Sequence, residues 1–283
     1  MTLIGLLVVF GSVAGGFAIA GGDFHVLLQP SEFVVICGAA LGTLITSSPG
    51  QMRKRVIHAL KAAFKDGTPT PKDYTDLLKL MFELFTLMRR EGMLALEPHL
   101  ADPTKSDLFK KYPSVAKQHD ANSFLIEGLQ QVVSGVSPDE LDASMEAEID
   151  TFKDGGHLTT TLIKGVSDSL PGIGIVAAVL GIIVTMNHMD APPAVIGHHV
   201  AAALVGTFLG ILLCYGMLSP IATSVEMQET HVIRYMHCIR LGLVASLRGS
   251  PPNVSVDLAR RAIFVDERPT FAEMDKLVRS TKG

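Results

Sequence analysis

Apolar residues along the chain gather into four long runs, separated by one long charged segment and followed by another. The runs cover about 3–20, 30–48, 170–186 and 200–217. Each is long enough, or nearly so, to cross the roughly 30 Å hydrocarbon core of a bilayer as a helix. The charged segments repeat apolar residues at helical spacing and lack the alternation of strands. The pattern predicts an all-α polytopic membrane protein with four transmembrane helices and a large helical loop.

Lys and Arg residues predict how these helices are oriented. None precedes Arg53, which favours a retained first helix over a cleaved signal peptide with a basic start. The segment after the second run is rich in them, whereas the short loops at about 21–29 and 189–197 have none. The positive-inside rule therefore predicts that both termini and the long loop are cytoplasmic. Four regions result: transmembrane helices 1 and 2 in 1–48, a cytoplasmic helical domain in 49–167, transmembrane helices 3 and 4 in 168–220, and a cytoplasmic helical tail in 221–283.

Start signals divide the cytoplasmic regions into helices. The T-P-K-D sequence at 70–73 predicts one start, because proline in a first turn has no N–H to leave unpaired. The S-P-D-E sequence at 137–140 predicts a second start, capped by Ser137, for an acidic helix that runs to Lys153. The apolar stretch at 233–247 contains arginines, and we interpret it as a continuation of the fourth span rather than as a fifth.

The third run, P-G-I-G-I-V-A-A-V-L-G at 171–181, is rich in small residues. Small residues let transmembrane helices approach closely, so we expect this face to contact partner helices rather than lipid. Pro171 lies near the start of this run, where its missing N–H costs little, and Pro220 follows the fourth run. Both prolines are predicted at cytoplasmic ends of spans. Together they are candidate hinges that convert a change in the membrane into motion outside it.

Composition agrees with a membrane protein and argues against other classes. Charged residues make up 18% of the chain and the mean hydropathy is +0.35. The net charge of −4 gives no sign of nucleic-acid binding. The three cysteines form no C-x-x-C pair, and no phosphate-binding loop, nucleophile elbow or H-E-x-x-H motif occurs. We therefore predict no enzyme activity, no cofactor and no metal site, since the adjacent His198 and His199 do not share a helical face.

The interiors of the four spans lack Asp, Glu, Lys and Arg, although such a residue usually marks an ion carrier. Glu32, Asp168 and Glu226 are predicted only at the edges of the spans. If the protein moves protons, a partner must therefore supply the titrating carboxylate. The polar group best placed for a pathway is the mid-span Thr207. The alternative is that its hydroxyl bonds back to its own helix.

A mixed-charge patch, R-R-E-G-M-L-A-L-E at 89–97, lies in the long loop. Arg90 and Glu97 are seven residues apart and would share a face if the helix continued through Gly92. A solvated helix face is the ordinary explanation of such a run. The functional interpretation is an electrostatic docking patch, which favours fast and reversible contact over tight binding.

Four segments closely resemble the MotA stator subunits of the bacterial flagellar motor: D-S-L-P-G-I-G-I-V-A-A-V-L-G, V-G-T-F-L-G-I-L-L-C-Y-G-M-L-S-P-I-A-T, R-R-E-G-M-L-A-L-E and E-R-P-T-F. The resemblance covers essentially the whole chain. It implies an ion-conducting subunit of the bacterial inner membrane that turns proton flow into torque. Five such subunits are expected to surround two copies of a single-span MotB-type partner, which carries the ion-binding Asp and a peptidoglycan-binding domain.

The resemblance also implies roles for particular residues. Arg89 and Glu97 match family residues that contact the rotor protein FliG, and Arg90 is a weaker candidate beside them. Pro171 and Pro220 match the two prolines of the family. These residues are therefore predicted to form a rotor interface and a coupling hinge.

The same comparison bears on the ion pathway. Thr207 matches the family's hydroxyl next to the ion site. Sodium-driven relatives of the PomA type carry Thr where this chain has Ala178, and alanine offers no oxygen to a bare cation. Ala178 and Thr207 are thus predicted to line a path for protons.

Two other functions are alternatives to a motor stator. An ExbB/TolQ-type energiser of outer-membrane transport is the main alternative, and four spans together with the 89–97 motif count against it. A structural scaffold or a small-solute transporter lacks support from inverted repeats.

Overall fold

The computed structural model of the chain describes residues 1–65 and 67–280, which are mainly helical and include no strand. The helices, in chain order, are α1 (Thr2–Ile19), α2 (Phe24–Leu27), α3 (Pro30–Ser47), α4 (Gly50–Ala62), α5 (Pro71–Glu91), α6 (Glu97–Ala101), α7 (Asp107–Lys110), α8 (Pro113–Lys117), α9 (His119–Val133), α10 (Pro138–Met186), α11 (Pro193–Leu213), α12 (Ser219–Leu247), α13 (Pro252–Arg260) and α14 (Phe271–Ser280). A 3₁₀ turn covers Met93–Leu96, and a π-helical turn covers Cys214–Leu218.

Four helical stretches in the described chain are long and apolar enough to cross a membrane. They are Thr2–Ile19, Phe24–Ser47, Pro138–Met186 and Pro193–Leu247. The predicted all-α fold with four spans is therefore confirmed. The fourth stretch also continues from α11 through α12, as the sequence predicted for residues 233–247.

The chain forms two compact units. Unit 1 comprises Met1–Asp66 and Gly156–Met227, and unit 2 comprises Gly67–Gly155 and Gln228–Gly283. The divisions fall within α10 and α12, so each of these helices contributes residues to both units. The predicted regions divide the chain at 48, 167 and 220 instead, because they follow the expected membrane crossings rather than packing.

Unit 2 is organised around one apolar core. The side chains of α5 at helical spacing are buried in it, and the rings of Tyr74 and Tyr235 lie 5.2 Å apart at their centroids. Helices α9, α10, α12 and α13 complete the core. The buried residues of α5 are Tyr74, Leu77, Leu78, Leu80, Met81, Phe82, Leu84 and Phe85. Each large side chain of this kind contributes about 1.5–3 kcal/mol when it is fully buried, so this face positions α5.

Both predicted helix starts are confirmed by reciprocal capping bonds. The Thr70 hydroxyl accepts from the Asp73 N–H at 3.4 Å, and the Asp73 carboxylate accepts from the Thr70 N–H at 2.7 Å. Ser137 and Glu140 exchange equivalent bonds at 3.3 and 3.1 Å. Each pair satisfies two backbone donors at a helix start.

The end predicted for the acidic helix at Lys153 is wrong, because α10 continues to Met186. Gly155 and Gly156 follow Lys153, but neither takes the positive φ that ends a helix. Pro171 consequently lies inside α10 and not at a helix start. There its missing N–H removes one intrahelical bond, the one that the carbonyl of Ser167 would accept.

Candidate functional site

In unit 1, α10 and α11 pack against each other through glycines. A Cβ added to Gly174 would lie 2.7 Å from the carbonyl oxygen of Gly206, and one added to Gly210 would lie 2.6 Å from that of Leu170. Cβ atoms do not approach backbone so closely, so only glycine fits. The small face of the third run was expected to meet partner helices. That expectation needs correction, because much of the face meets α11 of the same chain, whose small residues recur at matching spacing.

The other side of the third span is apolar and uncovered within the single chain. Its branched side chains between 175 and 183 are 39–56% exposed. They are Ile175, Val176, Val179, Leu180, Ile182 and Ile183. Lipid or neighbouring chains must cover this surface, because an apolar patch of this kind is unfavourable in water.

The two residues predicted to line an ion path lie at the same level of the packed helix pair. Ala178 is half-buried, and its backbone nitrogen would be 3.0 Å from a Cβ on Gly206, the residue before Thr207. Thr43 and Thr185 each donate their hydroxyl to the carbonyl four residues earlier. Within the described residues, no such bond engages the half-buried hydroxyl of Thr207. The alternative of a back-bonded hydroxyl is therefore not met among the described residues, and this hydroxyl has no intrahelical partner there.

Glu32 lies at the edge of a span, as predicted, but it is buried there. It belongs to the first turn of α3, yet only 7% of its surface is exposed. Its carboxylate lies against α11, since a Cβ on Gly206 would be 2.5 Å from Oε2. No local pattern predicts this burial, because Gly206 is distant in the chain and only the tertiary fold brings it to Glu32.

The two candidate hinge prolines lie at different kinds of position. Pro171 is inside α10, whereas Pro220 is in the first turn of α12, directly after the π-helical turn. A buried hydroxyl, that of Ser167, donates to the carbonyl of Cys214 at 3.3 Å and so links the proline region of α10 to this turn. Sequence reasoning missed this link, since a serine and a cysteine in apolar surroundings carry no recognisable pattern.

The mixed-charge patch is exposed at the end of α5. Gly92 has φ 90°, and the chain turns there into the 3₁₀ segment before α6 begins at Glu97. Arg90 and Glu97 therefore belong to different helices. Their separation of seven residues does not place them on one helical face. Arg89, Arg90 and Glu97 are all exposed, and no ion pair of the described residues involves them. Their charges are free for a partner.

A second group of charges, in unit 2, is occupied within the fold. Arg240 of α12 donates to Asp142 of α10 at 2.7 Å and also pairs with Glu146. Burial lowers the pKa of the nearby His237, which keeps its imidazole neutral at pH 7. These residues stabilise the N-terminal part of α10 against α12 and are unavailable for docking.

Histidines cluster near the short loop between α10 and α11. The rings of His188 and His199 stack with centroids 4.8 Å apart. In the part of the chain that the structure describes, no three His, Cys, Asp or Glu side chains converge on a common point. The arrangement gives no metal site among those residues.

Two family models match the chain, one in each half. The motility protein A N-terminal model matches residues 3–92, and that of the MotA/TolQ/ExbB proton channel family matches residues 116–237. The first covers α1 to α5 with the two arginines of the charged patch, and the second covers α10 and α11 with the glycine contacts. The matched regions thus include Arg89, Arg90, Pro171, Ala178, Thr207 and Pro220, whereas Glu97 lies between them.

Similar proteins extend the match to the full length. Motility protein A of Escherichia coli is 36% identical over 100% of this chain and 96% of the relative. Chemotaxis protein LafT of Vibrio parahaemolyticus is 36% identical, with 99% of each chain covered. These relatives favour a motor protein over an ExbB/TolQ-type energiser.

Solved structures share the fold. A chain of the flagellar MotAB stator complex from Bacillus subtilis has a TM-score of 0.76 at 25% identity, with 91% of this chain and 93% of that chain covered. A chain of C. jejuni MotAB has a TM-score of 0.80 at 20% identity, with 95% and 98% covered. Since sequence, family models and fold agree over the whole length, the chain belongs to the motility protein A family of flagellar stator subunits, within the wider MotA/TolQ/ExbB proton channel family.

Proposed function

We propose that this chain assembles with a single-span MotB-type partner in the bacterial inner membrane and couples proton flow to torque on the rotor protein FliG. Five copies surround two copies of the partner, with both termini of each copy in the cytoplasm. The observation that carries the proposal is the full-length relationship to motility protein A, together with the exposed and unpaired charges at the end of α5.

Conduction through a shared path is supported by the α10–α11 pair. Apart from Glu32, the spans offer no acidic or basic side chain of their own, so the partner must supply the main titrating carboxylate. Thr207 contributes a hydroxyl without an intrahelical bond, and Ala178 contributes a surface without oxygen. Such a lining suits a proton better than a bare metal cation, which prefers oxygen ligands.

Coupling to the cytoplasmic part is assigned to the regions of Pro171 and Pro220. Both prolines interrupt backbone hydrogen bonding near the same end of the helix pair, and the π-helical turn adds a second irregularity beside Pro220. Irregular helix turns adjust at low cost, so they are suitable places for a change of the ion site to become motion.

The rotor contact is assigned to Arg89, Arg90 and Glu97. Charge reversal at either Arg89 or Glu97 should abolish or strongly reduce swimming while the stator still assembles in the membrane. The matched control is E127K, because Glu127 is an exposed acidic residue elsewhere in unit 2. Normal swimming of both R89E and E97K cells would remove this surface from the mechanism.

Deletion tests the function as a whole. Cells without this gene should assemble flagellar filaments and yet fail to swim, and the intact gene should restore swimming. Paralysed cells without filaments would point to an assembly role, and cells that still swim would refute the proposal. In restored cells, speed should fall with a protonophore and ignore external sodium. The opposite result would refute proton coupling while leaving the motor function in place.

A further inference from the structure

Glu32 is an unusual carboxyl for a membrane-spanning region. Its exposed fraction is 7%, and among the described residues no other Asp, Glu, Lys or Arg is buried. Its Oε2 atom has no hydrogen-bond partner within those residues. A buried polar atom without a partner is rare in folded proteins and asks for a functional explanation.

Residues of three helices, α3, α10 and α11, lie around this carboxyl. Glycines face it from the packed pair, because a Cβ on Gly206 would lie 2.5 Å from Oε2 and one on Gly181 would lie 3.7 Å from Oε1. On α3 itself the other titratable group is Cys37, which is exposed. The nearest cation of α4, Arg53, donates to the carbonyls of Ile45 and Ser48 at the far end of α3. Among the described residues, no salt bridge or hydrogen bond joins a positive side chain to the Glu32 carboxyl.

The energies favour a bound proton. Burying a carboxylate ion without a paired cation is strongly unfavourable even after relaxation. The N-terminal end of α3 offsets only a small part of this cost. The neutral acid avoids most of the cost, and its O–H can serve as a donor in a site that opens only transiently to water.

We propose that Glu32 is a proton-binding site of this chain, on the entrance side of the conduction path, in addition to the carboxylate of the partner. This site is an addition to the proposed stator function and rests on that function, which determines the direction of proton flow. Glu32 lies in the first turn of α3, after the short outer loop, and touches the backbone one residue before Thr207. Proton arrival forms the O–H bond of the neutral acid, and departure toward Thr207 and the partner breaks it again, without any redox change.

Infrared spectroscopy of the purified stator complex tests proton binding directly. A neutral carboxylic acid has a C=O stretching band that a carboxylate lacks and that shifts in heavy water. The band of the wild-type complex should contain a contribution from Glu32 beside that of the partner's carboxyl, and E32Q should weaken the band while still assembling with the partner. E127Q is the matched control, since it removes an exposed glutamate from unit 2 and should leave the band unchanged.

Swimming tests the role in conduction. Gln has the shape of the neutral acid but cannot exchange its proton for conduction, so E32Q cells should lose swimming and E32D cells should keep part of it. Full swimming speed in E32Q cells, or an unchanged infrared band, overturns the proposal. If E32Q does not assemble, the infrared spectrum of E32D is compared with that of the wild-type complex instead. A carboxyl band at the same frequency in both likewise overturns the proposal. Failure of the wild-type gene to restore swimming would refute the stator function itself, while the band would still report on Glu32.

Discussion

Replacement of Gly210 by alanine tests the close packing of α10 on α11. The added Cβ would lie 2.6 Å from the Leu170 carbonyl oxygen and 2.9 Å from the Cα of Gly174. Ordinary contact begins at 3.4 Å, so the carbonyl is too close by about 0.8 Å. The obstructing atoms are backbone, which cannot rotate away as a side chain can. The two helices must therefore separate or tilt along this interface.

The expected cost follows from two opposing terms. Overpacking of a tight contact costs about 1–3 kcal/mol, whereas alanine is a better helix former than glycine by about 1 kcal/mol. G197A is the matched control, because Gly197 is on the same helix and a Cβ there meets nothing within 4 Å. The propensity term cancels between the two variants. G210A should therefore be less stable than G197A by about 1–3 kcal/mol.

The measurement is the heat resistance of the assembled complex in detergent. The chain has no Trp, so the fraction of intact complex after stepwise heating is followed by size-exclusion chromatography. G210A should show a lower midpoint than both wild type and G197A, and its cells should swim more slowly. Equal midpoints for G210A and G197A would refute the glycine contact as a determinant of this helix pair.

Three further predictions concern other contacts. R240A should destabilise unit 2 by about 1.5–3 kcal/mol, because it removes the charged donor of Glu146 and the nearer of the two arginines that pair with Asp142. R248A should cost less than about 1 kcal/mol, since Arg248 is 53% exposed. His237 has an ordinary pKa of 6.5 that burial lowers. As pH falls below about 6.5 the unfolded chain takes up a proton that the folded chain does not, so stability should fall there, and H237Q should flatten this part of the unfolding profile. Finally, G174L should impair swimming far more than I183L, because residue 174 faces α11 and residue 183 is 55% exposed. Equal effects within either pair, or an unchanged pH profile in H237Q, would contradict the packing described.

Local features of the sequence were sufficient to predict the architecture. The length of the apolar runs set the four spans, and the T-P-K-D and S-P-D-E sequences set the starts of α5 and α10. These signals are local, because a capping bond or a hydrophobic run involves residues within a few positions of one another. The end of α10 was mispredicted for the same reason. Gly155 and Gly156 favour the end of a helix locally. Their backbone conformation, however, depends on what the rest of the chain packs against them.

The tertiary structure alone decided which polar and small residues meet. It placed Gly174 and Gly210 in contact within one chain, buried Glu32 against Gly206, and separated Arg90 from Glu97 at the turn of Gly92. Each of these contacts joins elements whose relative position no run or cap encodes. The sequence by itself therefore determined the spans, the starts of α5 and α10 and the family resemblance. The fold determined where an uncompensated carboxyl lies, because burial is a property of neighbours that come from distant parts of the chain.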